Sequence, residues 1–256
     1  MNAACSARIL LACAGFLWIS PACGGDDDGG GQRDGGGGGG DDGGAIDGGG
    51  GEAEACAETT PVERAPECGA GPTSSVNLPS GCAPNVDGTL HMEEWDGATC
   101  FNVGDAGDVI YAKFAGDAVY LAFSATPSCG CPMAFAFDPD AGDSFDGDEF
   151  GVMVFDDPFN PDGDRSEGIT DGDAWVEGSA PAGIVTACPG AQPDPINYEW
   201  RIPFSALGIT AGAEHTFGIA VNHPLDGVWP EGITLEGTMP VDAGEWGRIG
   251  SPSGWQ

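Results

Sequence analysis

Apolar and polar residues alternate with a period of two through most of the chain beyond residue 108. Val109, Tyr111 and Lys113 fall on one side of a run, and Ile110, Ala112 and Phe114 on the other. Gly116-Asp117 then turns the chain, and Val119, Leu121 and Phe123 alternate with Tyr120 and Ala122. Two alternating runs joined by a two-residue turn containing glycine predict a β-hairpin. The same signature predicts strands over residues 133–137, 150–155, 184–187, 196–202 and 216–222. Clusters of Gly, Pro, Asp and Asn separate them, supplying turns and interrupting helices. No stretch sustains a 3.6-residue period; residues 91–95 and 205–207 each have room for one helical turn. The pattern predicts an all-β fold, an antiparallel β-sandwich of jelly-roll type.

The N-terminal part reads differently. Arg8, a short apolar run over residues 9–19, and the small residues Ser20-Pro21-Ala22 follow the layout of an export signal. The run is shorter than the ~20 residues a permanent membrane helix needs. Cys23 follows at once, and the junction resembles a bacterial lipoprotein signal, which implies a lipid anchor on Cys23, the only membrane attachment expected. Ser20 stands where such signals usually carry leucine, and Leu10-Leu11-Ala12-Cys13 fits the local pattern with almost no apolar core before it. Lipidation places the protein on the outer membrane or cell surface. An ordinary cleaved signal leaves it secreted, with Cys23 as a disulfide cysteine. Residues 24–51 are glycine and aspartate except for Gln32, Arg33, Ala45 and Ile46. With no apolar surface to bury, such a segment predicts a disordered tether, of about 30 Å r.m.s. reach at ~5–6 Å × √n. The expected organisation is a signal over 1–22, lipidated cysteine and tether over 23–55, an extended lead-in over 56–81, and a sandwich over 82–256.

The formal net charge is −34. That excludes nucleic acid as a partner, because its recognition depends on basic side chains, and leaves neutral ligands and cations. Of ten cysteines, seven lie beyond Cys23: Cys56, Cys68, Cys82, Cys100, Cys129, Cys131 and Cys188. In an exported chain with no Cys-x-x-Cys pair these read as a disulfide framework. Cys82 and Cys100 flank one compact motif and are expected to pair; Cys56 with Cys68 forms a plausible local loop, and Cys188 is left for Cys129 or Cys131.

Two segments are more specific. Val86-Asp87-Gly88 leads through Glu93-Glu94-Trp95, a turn followed by a short helix carrying a large aromatic plug. Tyr198-Glu199-Trp200-Arg201-Ile202-Pro203-Phe204-Ser205-Ala206-Leu207-Gly208 is an alternating strand stopped by Pro203. With the following strand ending at Asn222, these resemble family 9 carbohydrate-binding modules and the broader DOMON-like sandwiches. The resemblance runs from about Pro84 to the C-terminus and implies that Trp95, Ile202 and Leu207 are core residues. In sugar-binding members, aromatic side chains stack on a pyranose; the candidates here are Trp175 and Trp229, with Asn222, Asp226 or Glu231 accepting hydroxyl hydrogen bonds near Trp229. Haem-binding relatives use Met and His axial ligands, for which Met153 with His215 or His223 are the candidates.

Closely spaced carboxylates form a second constellation. Asp138, Asp140 and Asp143 begin a run that continues through Asp146, Asp148 and Glu149; Asn160, Asp162, Asp164, Asp171 and Asp173 form another. Calcium takes six to eight oxygen ligands, which such loops supply, so calcium is the expected cofactor. The competing reading is a solvated acidic surface. The three histidines sit in no nucleophile or zinc motif, and no carboxylate pair stands out for glycoside cleavage. The expectation is a non-catalytic module that binds an extracellular carbohydrate or surface glycan. The alternative is a structural or adhesive surface domain with the same fold and no sugar site.

Overall fold

The computed structural model describes residues 53–57, 60–62, 65–66, 68–69, 72, 74–104, 107–125, 133–155, 164–187, 196–223, 227–237, 239–251 and 254–256. Within them the alternation resolves into two large sheets. The first has the order β1 (Ser75–Asn77), β15 (Gly247–Gly250), β11 (Thr216–His223), β5 (Met133–Asp138), β6 (Phe150–Phe155), β7 (Asp164–Thr170) and β8 (Trp175–Glu177). A further strand, β12 (Gly227–Trp229), also pairs with β11. The second sheet runs β2 (Thr99–Val103), β3 (Asp108–Ala115), β4 (Ala118–Ala125), β10 (Ile196–Pro203) and β9 (Val185–Ala187). A small ribbon, β13 (Leu235–Glu236) with β14 (Met239–Pro240), lies apart. Pairing is antiparallel except between β1 and β15. The all-β sandwich is the fold the alternation predicts.

The two inner faces supply one continuous core. Ile110, Phe114, Leu121, Phe123, Trp200 and Ile202 of the second sheet meet Phe135, Phe137, Val152, Phe217, Ile219 and Val221 of the first. Trp200 packs edge-on against Phe135 with ring centroids 4.5 Å apart. The 92–95 and 204–207 segments are single 3₁₀ turns. The second closes on Gly208 at φ 65°, where a side chain would be strained. Ile202 and Leu207 are buried in the main core as the resemblance implies. Trp95 is buried too, but on the outer face of the second sheet beside Tyr111, not at the end of the sandwich.

Every position of β3 and β4 is buried, although alternation predicts one solvated face. The lead-in explains this: Ala65 and Val62, with Leu90 and Trp95 of the opening motif, cover Val109, Tyr111, Tyr120 and Ala122 as a third layer. The folded part therefore begins before Cys82, and Val76 and Leu78 belong to the main core.

The disulfides staple this layer and correct the expected pairing. Cys82 bonds Cys56 and Cys100 bonds Cys68, so Cys82–Cys100 and Cys56–Cys68 do not form. The reason is long-range. A parallel bridge joins Ala55 to Ala83, with Cys56 N donating to Ala83 O at 2.9 Å and Ala83 N to Glu54 O at 2.8 Å, which sets Cys56 beside Cys82. The Asn102 amide accepts from Cys68 N and donates to Cys68 O, both at 3.1 Å, fixing Cys68 beside Cys100. Cys129, Cys131 and Cys188 lie outside the described residues, as do Cys23, the signal and most of the tether. No helix among the described residues is long and apolar enough to cross a membrane.

Candidate functional site

The outer face of the first sheet carries a row of small residues. Ala220, Ala136, Gly151 and Gly168 are successive cross-strand partners on β11, β5, β6 and β7, and side chains opposite one another in a ladder share a face. Two indoles lie on this shelf. Trp246 covers Ala136 and Ala220 and is buried. Trp175, half-buried, covers the glycines: a Cβ on Gly151 would lie 3.3 Å from its ring and one on Gly168 3.5 Å. The two indole planes are 11° from parallel, with centroids 6.3 Å apart. Trp175 Nε1 donates to Pro240 O at 2.7 Å, and Phe145 packs edge-on against both rings, at 5.7 and 5.9 Å.

Met239 and Pro240 reach Trp175 at the start of β8, and beyond them the outer face of the sheet is open. There an open groove of about 480 Å³ runs along the sheet, lined by Gly151, Met153, Ser166, Gly168, Trp175, Glu177 and Met239 among others. Arg165 and Glu167, whose ladder partners Val154 and Val152 face the core, form an ion pair on the other face of β7. Arg165 also donates to Ile184 O at 2.8 Å, and Glu167 accepts from Ala180 N at 2.8 Å, so both charges are engaged by protein. An aromatic wall, a flat glycine floor and nearby hydroxyl and carboxylate groups suit an amphipathic ring ligand.

Trp229 does not belong to such a site. Its register partner is Val221, which points it into the core against Phe101 at 5.0 Å, with 4 % exposure. Asn222, one residue along β11, faces the opposite side of the sheet and is buried. Glu231 is exposed in the following turn, and Asp226 lies outside the described residues. The haem ligands fail for the same reason. Met153 shares the outer face with Asn222 and Ala134, whereas His223 points inward to Phe123 and lies 2.9 Å from Asp108. His215, before β11, reaches Pro139 O at 2.8 Å. Neither histidine can share an iron with Met153.

The loop between β5 and β6 collects carboxylates. Oxygens of Asp138, Asp140 and Asp148 lie within 4.8 Å of one another, as do those of Asp146, Asp148 and Glu149. Burial, then the charges of Asp146, Asp140, Asp138 and Glu149, push the Asp148 carboxyl up to about 7. Burial and then Asp140 push Asp138 up to about 6, opposed by Arg248. Asp143 stands apart from this cluster, 97 % exposed and 3.4 Å from Arg248. The run read from the sequence through Asp146, Asp148 and Glu149 thus supplies both groups, with Asp148 common to the two.

The second acidic run does not assemble as expected. Residues 164–170 form a strand paired to β6, so Asp164 and Asp171 stand roughly 20 Å apart at ~3.3 Å per residue and cannot share an ion. Asp171 instead closes a turn, its Oδ1 accepting from Asp173 N at 3.1 Å and Ala174 N at 3.0 Å. These N–H groups hold its carboxyl below the usual range. Asp173 is exposed in that turn; Asn160 and Asp162 lie outside the described residues.

The acidic loop and the groove touch. Glu149, buried, accepts from Asp146 N at 2.9 Å, from Gly147 N at 3.1 Å and from the Thr170 hydroxyl. This ties the loop to the end of β7, just before the turn that delivers Trp175. Phe145, from the same loop, is the ring that packs on Trp175.

The fold is an all-β sandwich with an aromatic-walled groove on the outer face of one sheet. Among solved structures, a family 9 module from Caldicellulosiruptor kristjanssonii in complex with cellotriose is 14 % identical and covers 69 % of this chain and 93 % of its own, with a TM-score of 0.46. In complex with glucose it covers 70 % and 96 %, again at 14 % identity and a TM-score of 0.46. A Bacteroides uniformis protein described as a candidate carbohydrate-binding protein is 11 % identical, covers 70 % and 99 %, and has a TM-score of 0.50. At these identities the likeness is one of fold. No protein-family model and no curated protein matches the chain.

Proposed function

We propose that this chain is a non-catalytic carbohydrate-binding module, exported and held off a membrane by a lipid on Cys23 and a solvated Gly/Asp tether. Its glycan site is the groove over β6, β7 and β8. The observation that carries this reading is Trp175, whose half-buried indole lies on the glycine shelf and walls an open groove. An indole so placed offers apolar area to a pyranose, while Ser166 and Glu177 offer hydrogen bonds to its hydroxyls. Isothermal titration of the mature chain with cello- and xylo-oligosaccharides tests it. Saturable binding that falls about tenfold or more in Trp175→Ala supports the groove, as expected for an aromatic anchor. Absence of binding across neutral and charged glycans overturns the reading in favour of a structural or adhesive module.

Calcium in the 138–149 loop is part of the same reading. Carboxylates crowded enough to raise each other's proton affinity are relieved by a hard cation, and the loop supports Trp175 through Phe145 and Thr170. Calcium is expected to raise Tm, a chelator to reverse this, and Asp148→Asn to abolish the response. An unchanged Tm in calcium and chelator removes the cation from the proposal. Intact mass of the mature protein decides the lipid: a diacyl or triacyl increment on Cys23 supports it, and a plain cleaved terminus refutes it.

A further inference from the structure

We infer that the groove selects by charge, taking cationic amino sugars in preference to neutral glycans and rejecting uronates, with Glu177 as the selecting residue; this rests on the groove being a glycan site. Glu177 stands two residues beyond Trp175 on β8, on the same face of the strand. Its cross-strand partner is Gly168, which has no side chain to cover or neutralise it. It lines the groove, is exposed, and has no ion-pair or hydrogen-bond partner among the described residues.

Arg165 does not offset it, because it shares the core-side face of the sheet with its ladder partner Val154. It is also engaged by Glu167 and by the Ile184 carbonyl, so among the described residues no free positive group lines the groove to receive a sugar carboxylate. The groove thus presents one uncompensated carboxylate beside an indole, in a chain of net charge −34. A protonated amine on a pyranose lying against Trp175 meets Glu177 by charge and the ring face by cation–π attraction. A uronate in the same place meets only repulsion.

The test is calorimetric titration of the mature chain with glucosamine trimer, its N-acetylated form, cellotriose and galacturonate trimer, in mildly acidic buffer that keeps the amines protonated. The glucosamine trimer is expected to bind about three- to fivefold more tightly than cellotriose at low salt, as fits a partly exposed ion pair. The N-acetylated trimer is expected to match cellotriose, the galacturonate to bind more weakly than either, and added salt to close the gap. In Glu177→Gln the gap between glucosamine trimer and cellotriose is expected to vanish, whatever the change in cellotriose affinity itself. Equal affinity for glucosamine trimer and cellotriose, or a gap that survives in Glu177→Gln, overturns the inference and leaves the glycan groove standing. A preference that survives in Trp175→Ala also overturns it, because the amine is then held elsewhere on the acidic chain. No binding of any sugar overturns the groove itself.

Discussion

Glu199→Gln is expected to stabilise the protein increasingly as pH rises. Glu199 is buried on the outer face of the second sheet, beneath the opening motif. One carboxyl oxygen accepts from Asp87 N at 3.1 Å and Gly88 N at 2.8 Å; the other has no hydrogen-bond partner among the described residues. Burial is the main cause that pushes its carboxyl from 4.5 up to about 8; Asp87 and Glu94 add to it, and the two N–H bonds oppose it. Between pH 4.5 and about 8 the folded chain therefore keeps a proton that the unfolded chain has released. Stability from this group is complete below the lower value and is lost as pH rises through the window, at about 1.4 kcal/mol per unit. By neutral pH the loss is about 3 kcal/mol, an order-of-magnitude figure for one buried group. Glutamine keeps an oxygen for the two N–H groups and carries no charge. Urea unfolding of both proteins across this range isolates Glu199, because the other acidic residues cancel in the difference. The expected difference is small at the acid end and grows to a few kcal/mol at the alkaline end. A difference that does not change with pH refutes the argument that burial keeps Glu199 protonated.

Non-reducing peptide mapping is expected to recover Cys56 linked to Cys82 and Cys68 to Cys100; a Cys82–Cys100 peptide would contradict the three-layer arrangement. Removing either bond is expected to cost about 3–4 kcal/mol from the loops closed. Gly247→Ala is expected to destabilise by roughly 2 kcal/mol or more without a specific effect on ligand, since its Cβ would lie 2.3 Å from the Trp229 ring. Gly151→Val is expected to fold but to lift Trp175 and Met239 off the shelf, because a Cβ there lies 2.7 Å from Met239. Loss of sugar binding with little loss of Tm is the outcome to look for.

The strands were largely legible because alternation is local: β3, β4, β5, β6, β10 and β11 lie where the pattern places them. β7 was not, because its sequence Asp164-Arg165-Ser166-Glu167-Gly168 reads as an acidic loop. It is a strand near the rim, where Arg165 and Glu167 satisfy each other and the strap 178–184 on the core-side face. Trp175 and Trp229 were both candidates in the sequence, and nothing local separated them. One indole is half-open and the other is core because of which strand face each occupies and what crosses above it.

By itself the sequence determined the all-β class, the hairpin, the two 3₁₀ turns and the crowding of carboxylates, all consequences of neighbours within a few residues. The tertiary structure alone decided the cysteine partners, the third layer over β3 and β4, the small-residue shelf and the exposure of Glu177. These depend on residues brought together from distant segments, where coverage and register, not composition, set whether a side chain is core, staple or surface.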